Sequence, residues 1–447
     1  MAGGAGEARE AARRIGAPTA TMLVVASMLG TGVFTTTGVL LRDLGSPAAV
    51  LAAWAVGGVL ALCGALSYGE LAAALPRSGG EYQMLGRIYH PAIGFAAGVI
   101  SLVVGFSAPL AASALAFGHY LAVLVPGVRP AAAGMGIVAL MAVLHAVHVQ
   151  VGGRVQAAIT ALEVSLIGAF VAAGAPRSEP SRLLTSAGPP FHGAGTSAFA
   201  ASLIYVSFAY SGWNGAVYLA GEVRDPGRAV PRALIVGTTL VAVLYLALNV
   251  VFLSATPPGE LAGVVEVGHV AAVALLGPGA GRVLSALIAV ILASSVSAML
   301  MAGPRVYETM GRDHPSLAIL ARRTRHGGPA VAVALQAATA EAMIMTSSFG
   351  ALLRYIGFTL SLTAGLAVFG VLVLRRREPG LPRPYRTWGY PVTPLLFVAL
   401  SAWMVVHALV QNPASSWAGL ATVIAGVALH AALGRRGPPA GRLGASR

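Results

Sequence analysis

Lysine is missing altogether: the 29 basic residues are all arginine, and they face only 15 acids. Charged residues make up 10% of the 447-residue chain. A soluble globular protein carries roughly a quarter, so charge is too scarce here to clothe a water-exposed surface. Cysteine occurs once, as Cys63 inside an apolar run, which excludes a disulfide framework. The 56 glycines follow no triplet period and aliphatic residues abound, which excludes collagen and disorder. A net charge of +14 would suggest nucleic acid in a soluble protein. In this chain the arginines sit in short clusters between long apolar runs, so no nucleic-acid partner is expected. With 57% apolar residues and a mean hydropathy of +0.78, the chain reads as a polytopic protein of the lipid bilayer.

A helix crossing the roughly 30 Å hydrocarbon core needs about 20 apolar residues. Twelve segments meet that test, near 18–41, 47–69, 92–124, 131–150, 153–174, 197–221, 231–254, 280–303, 328–346, 351–374, 391–411 and 416–434. The alternating strands of a barrel do not appear, so the expected fold is an all-α polytopic membrane protein with 12 transmembrane helices. Residues 1–16 carry Glu7, Arg9, Glu10, Arg13 and Arg14 without an apolar core, so no cleavable signal peptide is expected there. The organisation expected is an N-tail (1–17), one integral domain (18–434) and a short basic Pro/Gly tail (435–447). The stretch 270–276 is apolar but too short to span and reads as an interfacial or re-entrant outer helix.

Arginine placement orients the helices. With the N-terminus in the cytoplasm, 23 of the 29 arginines fall on inside segments. The outer side keeps Arg42, Arg129, Arg177, Arg182, Arg282 and Arg354. The positive-inside rule therefore places both termini in the cytoplasm, and the protein in the cell inner membrane.

Two segments carry breakers in their middles. The first has Ser27-Met28-Leu29-Gly30-Thr31-Gly32-Val33-Phe34, and the sixth has Phe208-Ala209-Tyr210-Ser211-Gly212-Trp213-Asn214. Either one alone reads equally well as small residues that let helices pack closely. Together, five helices apart, they point to a transporter site between repeats. Unwinding frees amides and carbonyls at the midplane, which hydrocarbon forbids unless something polar binds. Half-helix N-termini suit a carboxylate and freed carbonyls an ammonium, so an α-amino acid is the natural ligand.

The ordered set of motifs resembles the amino acid–polyamine–organocation superfamily, in its bacterial permease branch with L-type and serine/threonine-exchanger-like members. Besides the two breaks, the matching residues are Leu75-Pro76-Arg77-Ser78-Gly79-Gly80-Glu81-Tyr82, Gly221-Glu222-Val223-Arg224-Asp225-Pro226 and Pro231-Arg232-Ala233-Leu234. Arg383-Pro384-Tyr385-Arg386 and Gly389-Tyr390-Pro391 complete the set. The resemblance implies a leucine-transporter-like 5+5 inverted repeat with helices 1 and 6 broken. Repeat one then covers about 18–174, repeat two about 197–374, and helices 11 and 12 about 391–434. It also implies roles. The amides of Thr31 and Gly32 and the Thr31 hydroxyl would hold the substrate carboxylate, in the stretch opened by Gly30. The carbonyls of Met28, Phe208 and Ser211 would receive the ammonium, with Ala209 and Gly212 completing the unwound stretch. Phe208 resembles the family's aromatic gate, while Tyr210 and Trp213 read at least as readily as packing aromatics. Gly105, Phe106 and Pro109 would wall the side-chain pocket. Asn214 lies where relatives that carry basic substrates have a carboxylate. With no other acid near the breaks, a neutral amino acid is favoured over cationic amino acids or polyamines.

Buried charge costs at least about 2.5–3.5 kcal/mol on insertion scales and is read as functional by default. Relatives often carry a lysine in helix five, where this chain has Glu163. Glu163 is read either as a proton-coupling residue or as a carboxylate paired with Arg154 or reaching water. Glu341 reads as an interfacial or oligomer contact, so a homo-oligomer stays open. Ser294, Ser295 and Ser297 read as hydroxyls bonded to their own helix rather than as sodium ligands. His145 and His148 lack an HExxH pattern and read as interfacial or structural, as do His119 and His407. Neither a metal nor a cofactor is expected. Glu222, Arg224, Asp225 and Arg228, with Arg77, Glu81 and Arg305, read as a cytoplasmic gate network or as solvated loop charges.

Three other functions are weighed against a transporter. An intramembrane enzyme needs a nucleophile and base at one depth, and no such pair is visible. An amino-acid sensor normally brings a long soluble tail, and a channel brings repeated filter motifs. Animal L-type relatives are disulfide-linked to a heavy chain through an external loop, whereas Cys63 lies inside helix two, so no such partner is expected.

Overall fold

The computed structural model describes residues 15–147, 153–184, 197–324 and 328–433, with the backbone alone described at 147 and 153–157. Among them every regular element is helical. In chain order these are α1 (Ala17–Met28), α2 (Thr31–Leu44), α3 (Pro47–Ala74), α4 (Gly80–Ile88), α5 (Pro91–Ile100), α6 (Ala108–Leu124), α7 (Pro130–Val147) and α8 (Gly153–Gly174). They continue as α9 (Ser197–Ala209), α10 (Pro226–Ala255), α11 (Pro258–Leu261), α12 (Val267–Leu276), α13 (Pro278–Asp313), α14 (Ala330–Thr346), α15 (Phe349–Arg377), α16 (Val392–Gln411) and α17 (Pro413–Ala432).

Helix starts follow from proline. Pro47, Pro91, Pro130, Pro226, Pro258, Pro278 and Pro413 each occupy a first helical position, where the missing N–H costs nothing. Ser46 and Ser348 cap α3 and α15 by accepting from the amides of Ala49 and Ala351. Among the described residues nine segments are long and apolar enough to cross a membrane. They include Ala17–Leu44, which is broken at its centre, and Pro91–Leu124. The expected spans four, six and nine form the shorter apolar helices Pro130–Ala146, Ser197–Ala209 and Ala330–Thr346. The apolar stretch near 270–276 is part of α12, a ten-residue helix too short to span.

The core gathers around the interrupted segments. α10 packs on α3 and α1, α13 on α6, and α9 on α2 and α15. α16 and α17 lie outside and expose Val392, Val410, Trp417 and Ile424, an apolar face suited to lipid. The C-terminal half of α2 is covered by the connector that leads to α12. The Gly263 amide donates to the Gly38 carbonyl at 2.7 Å. Tyr120 donates to the Phe34 carbonyl at 2.9 Å and accepts from the Gly268 amide at 3.3 Å. The opposite end of α1 is held by a short parallel bridge. The Ile15 amide donates to the Glu222 carbonyl at 3.0 Å, and the Arg224 amide to the Ile15 carbonyl at 2.9 Å.

On that second side the Arg383 motif builds a buried cage. Glu70, at the end of α3, accepts from Nε and Nη2 of Arg375 at 2.7 Å each. It also accepts from the amide and hydroxyl of Thr387 at 2.8 Å each, with Arg383 Nε 3.4 Å away. The Arg375 guanidinium lies 3.7 Å from the centre of the Tyr390 ring. One carboxylate thereby fastens α3 to the end of α15 and to the loop that enters α16.

Candidate substrate site between the two interrupted helices

α1 stops at Met28 because Leu29 and Gly30 leave the helical region, Gly30 with φ −179° and ψ −152°. α2 restarts at Thr31 without a side-chain cap. The first amides of a helix have no partner within it, so Thr31, Gly32 and Val33 present N–H donors at this level. The second interruption follows α9. A turn over 210–214 leads into a 3-10 segment, Gly215–Glu222, and Gly212 sits at φ +98°, where a side chain is strained.

The two interruptions meet backbone to backbone. A Cβ on Gly32 would lie 2.3 Å from Cα of Ala209, and one on Gly212 would lie 2.1 Å from the Ser27 carbonyl oxygen. Only glycine permits either approach. Gly30 differs, since its nearest neighbour would be Ser295 Oγ of α13 at 4.0 Å. The expected residues Met28, Gly30, Thr31, Gly32, Phe208, Ala209, Ser211 and Gly212 are therefore brought together. The Thr31 hydroxyl lies 3.3 Å from that of Ser113 on α6.

The expected carbonyl acceptors are partly engaged. Met28 O accepts from the Tyr245 hydroxyl at 2.6 Å, and Phe208 O from the Ser211 amide at 2.9 Å. A carbonyl has two lone pairs, so each retains one acceptor direction. Tyr245 was not legible as a site residue: it sits in an apolar helix 217 positions from Met28. Its ring packs edge-on against Trp54 at 5.5 Å and lies 5.3 Å from Tyr210, whose hydroxyl donates to the Trp54 carbonyl. Tyr210 is thus a packing aromatic, and so is Trp213, which meets Tyr68 and Phe397. Phe208 is buried beside the interruption.

Span three departs from regular geometry where the pocket wall is expected. Residues Ser101–Ser107 form a π-helical turn, and the Ser107 hydroxyl donates back to the Leu102 carbonyl at 2.8 Å. Such turns recur at functional sites. Gly105 lies on this turn and Pro109 is buried just after it. The Phe106 ring packs 6.2 Å from that of Tyr218 on the 3-10 segment.

The Asn214 side-chain amide donates to Glu81 Oε1 at 2.5 Å. An acid therefore does stand close to the second interruption, contrary to expectation. Glu81 is buried and pairs with Tyr68, Asn214 and Tyr218 rather than with an arginine. Among the described residues, ion pairs on this side include Glu70 with Arg375, Glu308 with Arg312 and Arg323, and Arg87 with Glu378. Glu163 is buried in α8, which packs on α1 and α10, and has neither ion pair nor hydrogen bond among the described residues. The side chain of Arg154, its alternative partner, lies outside the described residues, as does His148.

The remaining histidines are structural. His145 is buried, not interfacial, and its Nε2 lies 2.8 Å from the Ser297 hydroxyl. His119 Nδ1 lies 2.7 Å from Glu266, and His407 Nδ1 lies 2.9 Å from the Trp403 carbonyl.

The chain matches the family described as amino acid permease over residues 15–429. It is 28% identical to the large neutral amino acids transporter small subunit 2 of Rattus norvegicus, over 96% of this chain and 81% of the relative. It is 27% identical to the serine/threonine exchanger SteT of Bacillus subtilis (strain 168), over 95% and 97%. With the b(0,+)-type amino acid transporter 1 of Mus musculus it shares 26% identity over 90% and 84%.

Proposed function

The chain belongs to the amino acid permease family, whose members are transporters rather than enzymes, and from that premise we propose that it moves neutral L-amino acids across the inner membrane by alternating access. The observation that carries this reading is the contact of the two interruptions through Gly32 and Gly212. It puts uncapped amides of α2 and the carbonyl-bearing turn after α9 at one level, as a zwitterion requires. The α-carboxylate sits on the amides of Thr31 and Gly32, and the α-ammonium on the carbonyls of Met28, Phe208 and Ser211. Phe208 closes over it, and Gly105 and Pro109 of the π-helical segment flank the side chain.

Twelve spans in a 5+5 inverted repeat, with both termini cytoplasmic, fit this mechanism. The shorter helices α7, α9 and α14 then complete the nine longer segments. Neutral selectivity has two supports. The relatives' names include large neutral amino acids and serine/threonine. Glu81, an acid near the second interruption, already accepts three hydrogen bonds and is committed to its own donors. Cys63 is buried, so a covalent heavy chain through it is not part of the reading.

Glu163 is the coupling residue in this proposal, taking up and releasing a proton as α1 and α10 move against α8. Liposomes given labelled leucine, serine or alanine test the function, with and without internal amino acid and with an acid exterior. Uptake that requires internal substrate means exchange, and uptake driven by acid outside means symport. Binding without uptake in either format overturns transport in favour of a sensor. Glu163→Gln is expected to abolish the acid-driven component while leaving substrate binding; an unchanged pH response removes Glu163 from the mechanism.

A further inference from the structure

We infer that Glu81 is a positioning residue for transport: its buried carboxylate straps the 3-10 segment Gly215–Glu222 to the start of α4 and to α3, and so sets how readily that segment swings away from α1. This rests on the alternating-access reading above. Glu81 Oε1 accepts from the Tyr68 hydroxyl at 3.1 Å and the Asn214 amide at 2.5 Å, and Oε2 accepts from the Tyr218 hydroxyl at 2.5 Å. Two further links run beside it. The Gly79 amide donates to the Tyr218 carbonyl at 3.2 Å, and the Gly221 amide to the Ser78 hydroxyl at 3.2 Å. The start of α4 is pressed flat on the segment. Gly80 has φ +56°, and a Cβ there would lie 2.4 Å from the Tyr218 ring.

The strap ends where the interruptions meet. Asn214 follows Gly212 by two residues, and Gly212 abuts the Ser27 carbonyl. At its other end the same segment carries the bridge to Ile15. Motion of Gly215–Glu222 therefore moves the wall of the substrate site and the end of α1 together. Among the described residues no cation faces the Glu81 carboxylate within ion-pair distance. Its charge is held by three neutral donors, and hydrogen bonds to an ionised acceptor are about twice as strong as neutral ones. Removing that one charge weakens three links at once, which ordinary loop charges would not do.

The test uses the full chain in vesicles, with Cys63→Ala as background and Ala216→Cys, buried on the strapped segment, as a thiol probe. Glu81→Gln is expected to raise the labelling rate by an impermeant maleimide from the side of Ile15 about tenfold, the factor one charged hydrogen bond carries. It is also expected to change KM measured from that side and leave KM from the opposite side unaltered. Tyr218→Phe removes one donor and keeps the carboxylate, so it should give a smaller rise in the same direction. Unchanged labelling and unchanged sidedness of KM in folded Glu81→Gln overturn the inference. If that variant does not fold, an unchanged labelling rate in Tyr218→Phe overturns it instead. Labelling does not require transport. A Glu81-dependent rate in protein that shows no uptake from either side would reject the transport reading and retain the strap.

Discussion

A single methyl group separates glycine from alanine, and at two positions it is enough to part the interrupted helices. Gly32→Ala would push a Cβ to 2.3 Å from the Ala209 backbone, and Gly212→Ala would push one to 2.1 Å from the Ser27 carbonyl at a φ of +98°. Neither neighbour is a flexible side-chain end that can yield. Both variants are expected to lose uptake to background in the liposome assay. Gly30→Ala is expected to retain a measurable fraction, because its φ of −179° suits any residue and its nearest contact is Ser295 Oγ at 4.0 Å. Equal loss at all three positions would mean that the backbone contact is not what matters. Tyr245→Phe leaves the Met28 carbonyl without its donor, a loss of about 1–3 kcal/mol for a buried group. A lower melting temperature in detergent is the expected outcome. The glycines were legible because a Gly-Thr-Gly in the middle of an apolar run contradicts its surroundings. The role of Tyr245 and the pairing of Glu81 with Asn214 were not, because the partners stand 217 and 133 residues away and no local spacing records such a pair.

At the scale of elements, hydropathy placed the helices because lipid demands that each backbone satisfy itself within its own segment. It did not reveal the π-helical turn at Ser101–Ser107, which leaves an apolar run unaltered in composition. Nor did it reveal what the Arg383 motif does, since the role of that motif depends on Glu70 some 300 residues earlier. The cage and a surface pair offer a comparison. Glu70→Gln leaves Arg375 and Arg383 without their buried counter-charge, a loss of up to about 3–5 kcal/mol. Arg87→Gln removes an exposed pair with Glu378, worth about 0–1 kcal/mol. Thermal unfolding in detergent should show a large drop for the first and almost none for the second; equal drops would dismiss the cage as a clamp. The connector over α2 has a pH response. The hydrogen bond from His119 holds the Glu266 carboxyl below the usual carboxylate range. A carboxylate with a depressed folded pKa contributes stability that is complete above its unfolded value, about 4.3, and is lost as pH falls through the folded value. The acid limb of the stability curve should therefore flatten in Glu266→Gln, and an unaltered limb would show that the pair carries no weight there.

For the whole molecule, the central pair of interrupted segments is held at one end by the connector around Gly263 and Tyr120, and at the other by the Ile15 bridge and the Glu81 strap. These devices share no residue, so either can release while the other holds, which alternating access requires. In the orientation proposed above, the arginines mark the end that faces the cytoplasm. Arg354 donates to Tyr205 on α9 and Arg182 to the Ala255 carbonyl at the end of α10, and both belong to the sparse outer set. Arg87, Arg312, Arg323, Arg375 and Arg383 crowd around the acids at the other end. Six arginines against 23 is a bias that the insertion machinery reads strongly over short connections. The orientation is therefore open to a direct check in intact cells, where buried Cys63 gives a quiet background. Cysteines placed at the exposed positions Ser181 and Ser316 lie on opposite sides in this arrangement. An impermeant maleimide should label Ser181→Cys from outside at once and reach Ser316→Cys only after the cells are opened. The reverse pattern would invert the topology and place the Glu81 strap on the outer face. Labelling of both from outside would break the up-and-down path through α9, α10 and α13 on which the twelve-span arrangement depends.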